Sequence, residues 1–341
     1  MANNSDVNAS YTIRAGKFRR YHAGKLRQLF DLPTIAKNIR DTWRVLIGIC
    51  QSWHLLRKIK PDIIFIKGAY VGAPVGLAAA WLHIPYVTHD SDAIPGLANR
   101  IIARWASAHA VALPKEVYAR YPAAKTFSVG VPVRSDYQYV TALIKQKYRR
   151  DIGLDKYRQM IFVTGGGLGA DNMNDAVADA SVGLLKKFPD LVIVHAAGRK
   201  NEHSLVQRYN SLLLTENRQR VIVKDFLDDI YLYSGAADLI ITRAGATSMA
   251  EFSVQGKACI LMPNPHLTAG HQTKNAILLE EQGAVKVVTE EQLENREYLE
   301  KIIVELLESE SIRQALGSNL HKIAHPAAAA ELAELLLKVK K

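Results

Sequence analysis

Met160-Ile-Phe-Val-Thr-Gly-Gly-Gly-Leu-Gly-Ala170 is an apolar, β-prone run that breaks into glycines and then opens into a helical pattern. A strand that turns on glycines into a helix is the building unit of parallel α/β folds. The glycines let the main chain approach a phosphate closely. The helix start supplies unpaired N–H groups and a partial positive charge. By itself the turn is equally consistent with tight strand–helix packing. It lacks the Gly-Lys-Ser/Thr of a Walker loop and is not a strict dinucleotide fingerprint. A nicotinamide dinucleotide would also want an acidic residue ending the next strand, where the chain reads His195-Ala-Ala-Gly198. That weighs against a dehydrogenase.

Further β-branched runs follow at Leu191-Val-Ile-Val194, Val221-Ile-Val223, Leu239-Ile-Ile-Thr242 and Ala258-Cys-Ile-Leu-Met262, each with a helical stretch behind it. The turn Thr242-Arg-Ala-Gly-Ala-Thr-Ser248 repeats the strand-to-helix geometry, and small and hydroxyl residues there suit a diphosphate wrapped by main-chain N–H groups. Glu251 lies one turn in. Its carboxylate can accept both hydroxyls of a ribose, or serve only as a favourable charge near a helix start. The polar loop Pro263-Asn-Pro-His-Leu-Thr-Ala-Gly-His-Gln-Thr-Lys-Asn275 then enters a helix, where Gln272 offers a donor and an acceptor to sugar hydroxyls.

The first half has its own series, with strands expected at Asp62–Ile66, Tyr86–Thr88 and Ala108–Leu113 and helices near 35–58, 73–82 and 96–106. Two such series in 341 residues imply two Rossmann-like domains. The linker is expected near Tyr137 to Leu154. The domains are residues 1–145, 146–323, and a last helix within 324–341 that can pack back on the first domain. The uncharged run Gly68 to Val87 is long enough to span a membrane, but Pro74, His83 and Pro85 divide it into loop, helix and strand. Cys50 and Cys259 have no partner spacing, and Met1-Ala-Asn-Asn-Ser-Asp6 lacks the features of a signal peptide, so a cytoplasmic setting is expected. The formal charge of +11 is unevenly spread: residues 1–150 hold 23 Lys and Arg against 8 Asp and Glu. That basicity favours an anionic partner such as a membrane surface. No nucleic-acid-binding motif accompanies it, so no nucleic acid is expected.

Taken together, Thr242 to Asn275, the Gly165–Ala170 loop and Phe226-Leu-Asp-Asp229 resemble the C-terminal domain of the MurG glycosyltransferase family. The N-terminal half agrees at Lys60-Pro-Asp-Ile-Ile-Phe-Ile-Lys-Gly-Ala-Tyr-Val71, His89-Asp-Ser-Asp92, Pro95-Gly-Leu-Ala-Asn99 and Val131-Pro-Val-Arg134. The resemblance implies a GT-B fold, two Rossmann-like domains with parallel sheets facing a central cleft. It implies transfer of N-acetylglucosamine (GlcNAc) from UDP-GlcNAc to lipid I, giving lipid II of peptidoglycan, at the cytoplasmic face of the cell membrane. No cofactor and no metal are called for. Asp90-Ser-Asp92 imitates the Asp-x-Asp metal motif of another glycosyltransferase fold, but here a helix dipole takes the metal's part.

By the same resemblance, Leu227 presents its main chain to uracil and Glu251 holds the ribose. Ala246, Thr247, Ser248 and Met249 face the diphosphate and sugar, Gln272 contacts sugar hydroxyls, and Arg134 sits at the nucleotide. Gly167 stands where the family usually has serine. Asp92 stands where asparagine or aspartate lies near the donor sugar, and Asp90 where glutamate is usual. The family also opens with a Gly-Gly-Thr-Gly-Gly-His loop that supplies a proposed catalytic histidine. Nothing like it precedes Tyr11, so a misassigned start, a truncated chain or a second polypeptide supplying that part all stay open. His89, Asp90 and Asp92 are then the candidates for general base, with Asp92 preferred. The rivals are a UDP-sugar 2-epimerase and a non-catalytic, partner-dependent UDP-sugar-binding protein. For the membrane surface, the expected contacts are Arg14, Lys17, Arg19, Arg20, Lys25 and Arg27, beside the apolar helix around Trp43 to Leu56.

Overall fold

The apolar runs form two separate parallel sheets, seen in a computed structural model that describes residues 7–16, 32–167, 169–265 and 270–340. Lys17, Arg19, Arg20, Lys25 and Arg27 lie outside the described residues. The chain divides into one unit of Met1–Gly130 with Ala327–Lys341, and another of Val131–Pro326. The first unit runs α1 (Leu32–Ile59), β1 (Ile64–Ile66), α2 (Ala69–Trp81), β2 (Tyr86–Asp90), α3 (Leu97–Ile102), β3 (Ala108–Val111) and β4 (Thr126–Ser128). Its sheet order is β1-β2-β3-β4, with Ile64 opposite Tyr86 and Val87 opposite Ala108. Every residue of β2 and β3 is buried, as strands covered on both faces require.

The long uncharged run of the sequence resolves into α2 and the start of β2, joined by a turn in which His83 takes φ 54. Among the described residues, no helix is long and apolar enough to cross a membrane.

The second unit runs α4 (Ala142–Asp151), β5 (Gln159–Thr164), α5 (Asp171–Lys187), β6 (Leu191–Ala196), α6 (Glu202–Leu212), α7 (Thr215–Arg218) and β7 (Val221–Lys224). It continues through α8 (Ile230–Ala236), β8 (Leu239–Thr242), α9 (Ala246–Gln255), β9 (Cys259–Leu261), α10 (His271–Glu281), β10 (Lys286–Val287), α11 (Arg296–Glu308) and α12 (Glu310–Lys322). The last helix, α13 (Ala328–Lys340), belongs to the first unit. There Leu332 and Leu335 join Val87, Ala108, Ala110 and Val129 in one core, and Lys340 pairs with Asp62 at 2.9 Å.

All six strands of the second sheet are parallel, in the order β10-β9-β8-β5-β6-β7. One core lies on each face. Ile161, Val163, Leu191, Ile193 and Ile241 point to one, and Met160, Phe162, Val192, Val194 and Ile240 to the other, which is the period-2 alternation of a strand.

The stretch expected as a linker, Tyr137 to Leu154, instead carries α4, and the units part at Gly130. The reason is a buried ion cluster that ties α4 to the start of β8. Asp238 takes Arg149 Nη2 at 2.5 Å, Lys145 Nζ at 2.9 Å and the Met160 N–H at 2.8 Å. Read as sequence, the Lys and Arg of this stretch look like a solvated connector. Folded, two of them are the counter-ions of one carboxylate. Burial pushes the Asp238 carboxyl up, but the two cations and the hydrogen bonds from Lys145 and Met160 outweigh it, leaving it below the usual carboxylate range.

Asp238→Asn is expected to cost about 3 kcal/mol in denaturant unfolding, the low end for a broken buried pair. The carbonyls of Ala236, Tyr157 and Arg158 still accept from Arg149 and soften the loss. Because the folded-state value is depressed, this stabilisation is present above the unfolded carboxylate value of about 3.9 and disappears as pH falls through the lower folded value. Unfolding midpoints of the two forms should therefore converge on acidification below pH ~4, and a constant gap would contradict the assignment.

Candidate active site

The order of the second sheet creates one place where the chain changes direction. From β5 it builds outward to β6 and β7, then returns to the other side of β5 with β8 and goes on to β9 and β10. Strands β5 and β8 are neighbours in register, and their last residues, Thr164 and Thr242, are paired. The glycine loop and the Arg243–Gly245 turn therefore leave the same edge of the sheet side by side. In open α/β sheets that crevice at the carboxyl ends is where ligands bind.

The glycine loop is shaped by its neighbours. Gly169 has φ +77, and a Cβ there would meet the Ala197 carbonyl at 2.2 Å, so no larger residue fits. Gly167 is different: the nearest atom to an added Cβ is Phe226 Cε2 at 3.8 Å, so the space for a serine is open. Beneath the loop, Asn174 of α5 donates to Ala197 O at 3.1 Å and meets His195 Nε2 at 3.0 Å, while His195 Nδ1 meets the Tyr209 hydroxyl at 2.9 Å. Burial lowers His195 to about 3, so it stays neutral and serves as a strut of the α5 start.

The start of α9 carries the clearest chemistry. Gly245 is its N-cap and provides no side-chain cap, and the first helical bond runs from Met249 N–H to Gly245 O at 2.9 Å. The N–H groups of Ala246, Thr247 and Ser248 thus precede the helical ladder, at the positive end of the helix dipole. Thr247 is exposed and Ser248 half-buried, while Met249 is buried and roots the turn in the core. Arg243 braces the preceding turn by donating to Met262 O at 2.8 Å and pairing with Glu290 at 3.3 Å. Glu251 is half-buried; burial first, and then the Glu251 charge, push the Tyr137 phenol above its ordinary value.

Around this edge the structure gathers several residues named from the sequence. Leu227 sinks its side chain into the core, which holds the main chain of the 226–229 loop in place. Arg134 is exposed, donates to Asp228 O at 3.5 Å, pairs with Asp136 at 2.6 Å and lies 6.0 Å from the Tyr231 ring centre. Gln272 uses its carbonyl oxygen to accept from Asn264 N–H at 2.9 Å. Of the donor and acceptor expected of Gln272, the acceptor is therefore engaged within its own loop. His266–Ala269 of that loop lie outside the described residues.

The sequence reading missed Arg199 and the aromatic face of Phe226. The Arg199 guanidinium lies 4.6 Å from the Phe226 ring centre, and the Arg199 main-chain N–H donates to Gly167 O at 3.4 Å. No spacing in the chain links residues 167, 199 and 226; only the adjacency of β5, β6 and β7 does.

In the first unit, His89, Asp90 and Asp92 follow one another at the carboxyl end of β2, but they differ in kind. The Asp90 carboxylate is buried and takes Tyr121 Oη at 2.7 Å and Gly96 N–H at 3.0 Å on its two oxygens. His89 is buried too, with Nε2 on Gly130 O at 2.9 Å and Nδ1 near Ser91 Oγ at 3.3 Å. Burial lowers its proton affinity despite the Gly130 bond that raises it. Both are hydrogen-bonded at the end of β2. Asp92 is half-buried.

Residues 160–332 match the Glycosyltransferase family 28 C-terminal domain, and residues 10–111 match the Glycosyltransferase family 28 N-terminal domain. A Bacillus cereus protein named UDP-N-acetylglucosamine--N-acetylmuramyl-(pentapeptide) pyrophosphoryl-undecaprenol N-acetylglucosamine transferase 2 is 35% identical over 87% of this chain and 76% of its own length. A Natranaerobius thermophilus protein of the same transferase name is 30% identical over 85% of this chain and 78% of its own. Among solved structures, Acinetobacter baumannii MurG superposes with a TM-score of 0.67 at 25% identity, covering 87% of this chain and 80% of that one. A Neisseria meningitidis UDP-GlcNAc 2-epimerase bound to UDP-GlcNAc reaches 0.59 at 14% identity, over 87% and 81%, which is a likeness of fold alone. Two parallel α/β units, a helix start open at the switch point and relatives covered over most of their length lead to one assignment: the chain belongs to the MurG family of family 28 glycosyltransferases, with the GT-B fold.

Proposed function

We propose that this chain transfers GlcNAc from UDP-GlcNAc to lipid I, the undecaprenyl-diphosphate-linked muramoyl pentapeptide, forming lipid II with inversion at the anomeric carbon. The observation that carries the reading is the uncapped start of α9 at the switch point, with Glu251 one turn along. An acceptor hydroxyl attacks the anomeric carbon as the bond to the β-phosphate oxygen breaks and UDP leaves. Negative charge grows on that phosphate during the step. The N–H groups of Ala246, Thr247 and Ser248 then interact more strongly with the transition state than with the bound donor, which is what raises kcat. The glycine loop, with Gly167, lies beside the diphosphate. Leu227 offers its main chain to the uracil edge, Arg134 lies over the nucleotide, Met249 supports the turn, and Gln272 donates to the sugar. Asp92 takes the proton of the attacking hydroxyl.

The acceptor is anchored in a bilayer, so the enzyme docks on an anionic membrane surface at its cytoplasmic face. Ile39, Trp43, Leu46 and Ile47 support this: they recur at helical spacing on α1 yet are exposed, Trp43 to 64%. Arg40 and Arg44 flank the stripe. An apolar stripe beside cations suits the headgroup boundary.

The donor reading is tested by calorimetry. UDP should bind more tightly than ADP or GDP, and Glu251→Ala should weaken UDP by about 1–3 kcal/mol, the range for hydrogen bonds to a charged group. Equal affinity for the three nucleotides would sink the uracil contact. An unchanged Glu251→Ala would return that residue to a helix charge.

Turnover is tested with UDP-GlcNAc and a lipid I analogue: lipid II supports the transferase, N-acetylmannosamine the epimerase, and no product a binding protein. Asp92→Asn should lower kcat by about 10²–10⁴ with UDP affinity unchanged, the loss typical of a missing general base. Full activity in that variant removes Asp92 from the role.

Sedimentation with vesicles checks the docking surface. Binding should need anionic lipid, weaken as salt rises, and fall when Arg40 and Arg44 are reversed to Glu, each cation counting for roughly 1 kcal/mol. Equal binding to neutral vesicles contradicts electrostatic docking.

A further inference from the structure

Three loops leave the carboxyl ends of β5, β6 and β7 side by side, and the middle one is stitched to both neighbours. On the β7 side, the Ala197 N–H donates to Lys224 O at 2.8 Å. On the β5 side, Asn174 Nδ2 donates to Ala197 O at 3.1 Å, and the Arg199 main-chain N–H donates to Gly167 O at 3.4 Å. Asn201 Nδ2 then donates to Asp171 Oδ1 at 2.6 Å, at the first residue of α5. The main chain of Arg199 is therefore fixed against the glycine loop. Its guanidinium lies over the Phe226 ring, 4.6 Å from the ring centre. The same ring flanks Gly167, with Cε2 at 3.8 Å from where a Cβ would stand.

Phenylalanine has no hydrogen-bonding group in its side chain, so the ring orders the cation without engaging its N–H groups. A guanidinium carries those groups in one plane, as a fork that suits phosphate oxygens. Among the described residues, no carboxylate pairs with the Arg199 guanidinium. Two other arginines at this edge are committed: Arg134 to Asp136 at 2.6 Å, and Arg243 to Met262 O and Glu290. The two helix starts of the crevice also differ in charge. The first turn of α9 holds no acidic residue, whereas α5 begins with Asp171, so the positive end of its dipole already faces a carboxylate. A diphosphate brought to the glycine loop meets that like charge, and Gly167 has no side chain to offset it. Arg199 stands on the side of the crevice where positive charge is short.

We propose that Arg199 is a further donor-binding residue: its guanidinium, seated on the Phe226 ring beside Gly167, contacts the diphosphate of the UDP donor. The inference rests on the donor reading given above, which puts the glycine loop beside the diphosphate. It divides the diphosphate between two kinds of group, main-chain N–H at the start of α9 and a side-chain cation at the glycine loop. Phe226 holds the cation in place before the donor arrives, which lowers the ordering cost of a long side chain.

The test uses the full chain and compares UDP, by calorimetry, with uridine, by NMR titration; uridine keeps base and ribose and has no phosphate. Arg199→Gln should weaken UDP by about fivefold to twentyfold, the span expected for hydrogen bonds to a charged group, and leave uridine unchanged. The loss of UDP affinity with rising salt should be shallower in that variant. Arg199→Lys keeps the charge without the fork and should recover part of the loss. Lys200→Gln removes the same charge one residue further on and should leave UDP binding unaltered. Equal weakening of UDP and uridine by Arg199→Gln would show a role in holding Phe226 or the loop, and would overturn the proposal. An unchanged UDP affinity overturns it too, as does an equal loss from Lys200→Gln, the mark of a diffuse field. If the unsubstituted chain binds UDP no more tightly than uridine, the diphosphate reading falls and this one with it. Arg199 is exposed, so neither substitution reaches the core. Should Arg199→Gln still fail to fold, Arg199→Lys must show a loss confined to UDP.

Discussion

The pairing of β5 with β8 is the constraint from which the donor half follows. Because β8 returns to the near side of β5, two strand-to-helix turns that are far apart in sequence leave the sheet at neighbouring points, Thr164 beside Thr242. Each turn opens a helix start at that edge, and the two together suit the diphosphate of the proposed donor. Six parallel strands with a core on each face keep that edge rigid, so the N–H groups are held in position before a ligand arrives. Preorganised dipoles of this kind cost little to align at the moment of reaction.

Charged side chains near the fold's two ends serve different purposes. At the amino ends of the strands, Asp238 with Arg149 and Lys145 is a buried structural cluster that binds α4 to the sheet. At the carboxyl ends, Arg134 is exposed and Glu251 is half-buried. The first unit repeats the division within three residues. His89 and Asp90 face inward and close hydrogen bonds that hold the end of β2, while Asp92, just beyond the strand, is half-buried. A short acidic motif thus splits by burial at the point where the strand stops.

Much of this architecture is legible in the chain. The runs at Met160–Thr164, Leu191–Val194 and Leu239–Thr242 are long, β-branched and followed by turns, and all three are strands. The boundaries were harder. Strands β4 and β10 have three and two residues and no distinctive pattern, so they are invisible without their neighbours. The expected helix at 73–82 begins at Ala69, because Gly68 takes φ +94 and lets the chain turn into the helix earlier than the apolar pattern suggests. The charged stretch 137–154 looked like a connector because charge in sequence carries no sign of burial.

The sequence by itself determined the alternation of strands and helices, the two glycine-bearing turns and the family, because these depend on local propensity, periodicity and residue order. Tertiary structure alone decided which residues meet. Arg199, Phe226 and Gly167 come from three different loops, and Tyr137 meets the ring of Tyr231 on α8. It also decided the hydrogen-bond partners of Asp90 and His89, since Tyr121 and Gly130 approach them only in the folded chain. Hydrogen-bond partners and burial are properties of strand order and packing, and those depend on contacts between residues far apart in the chain.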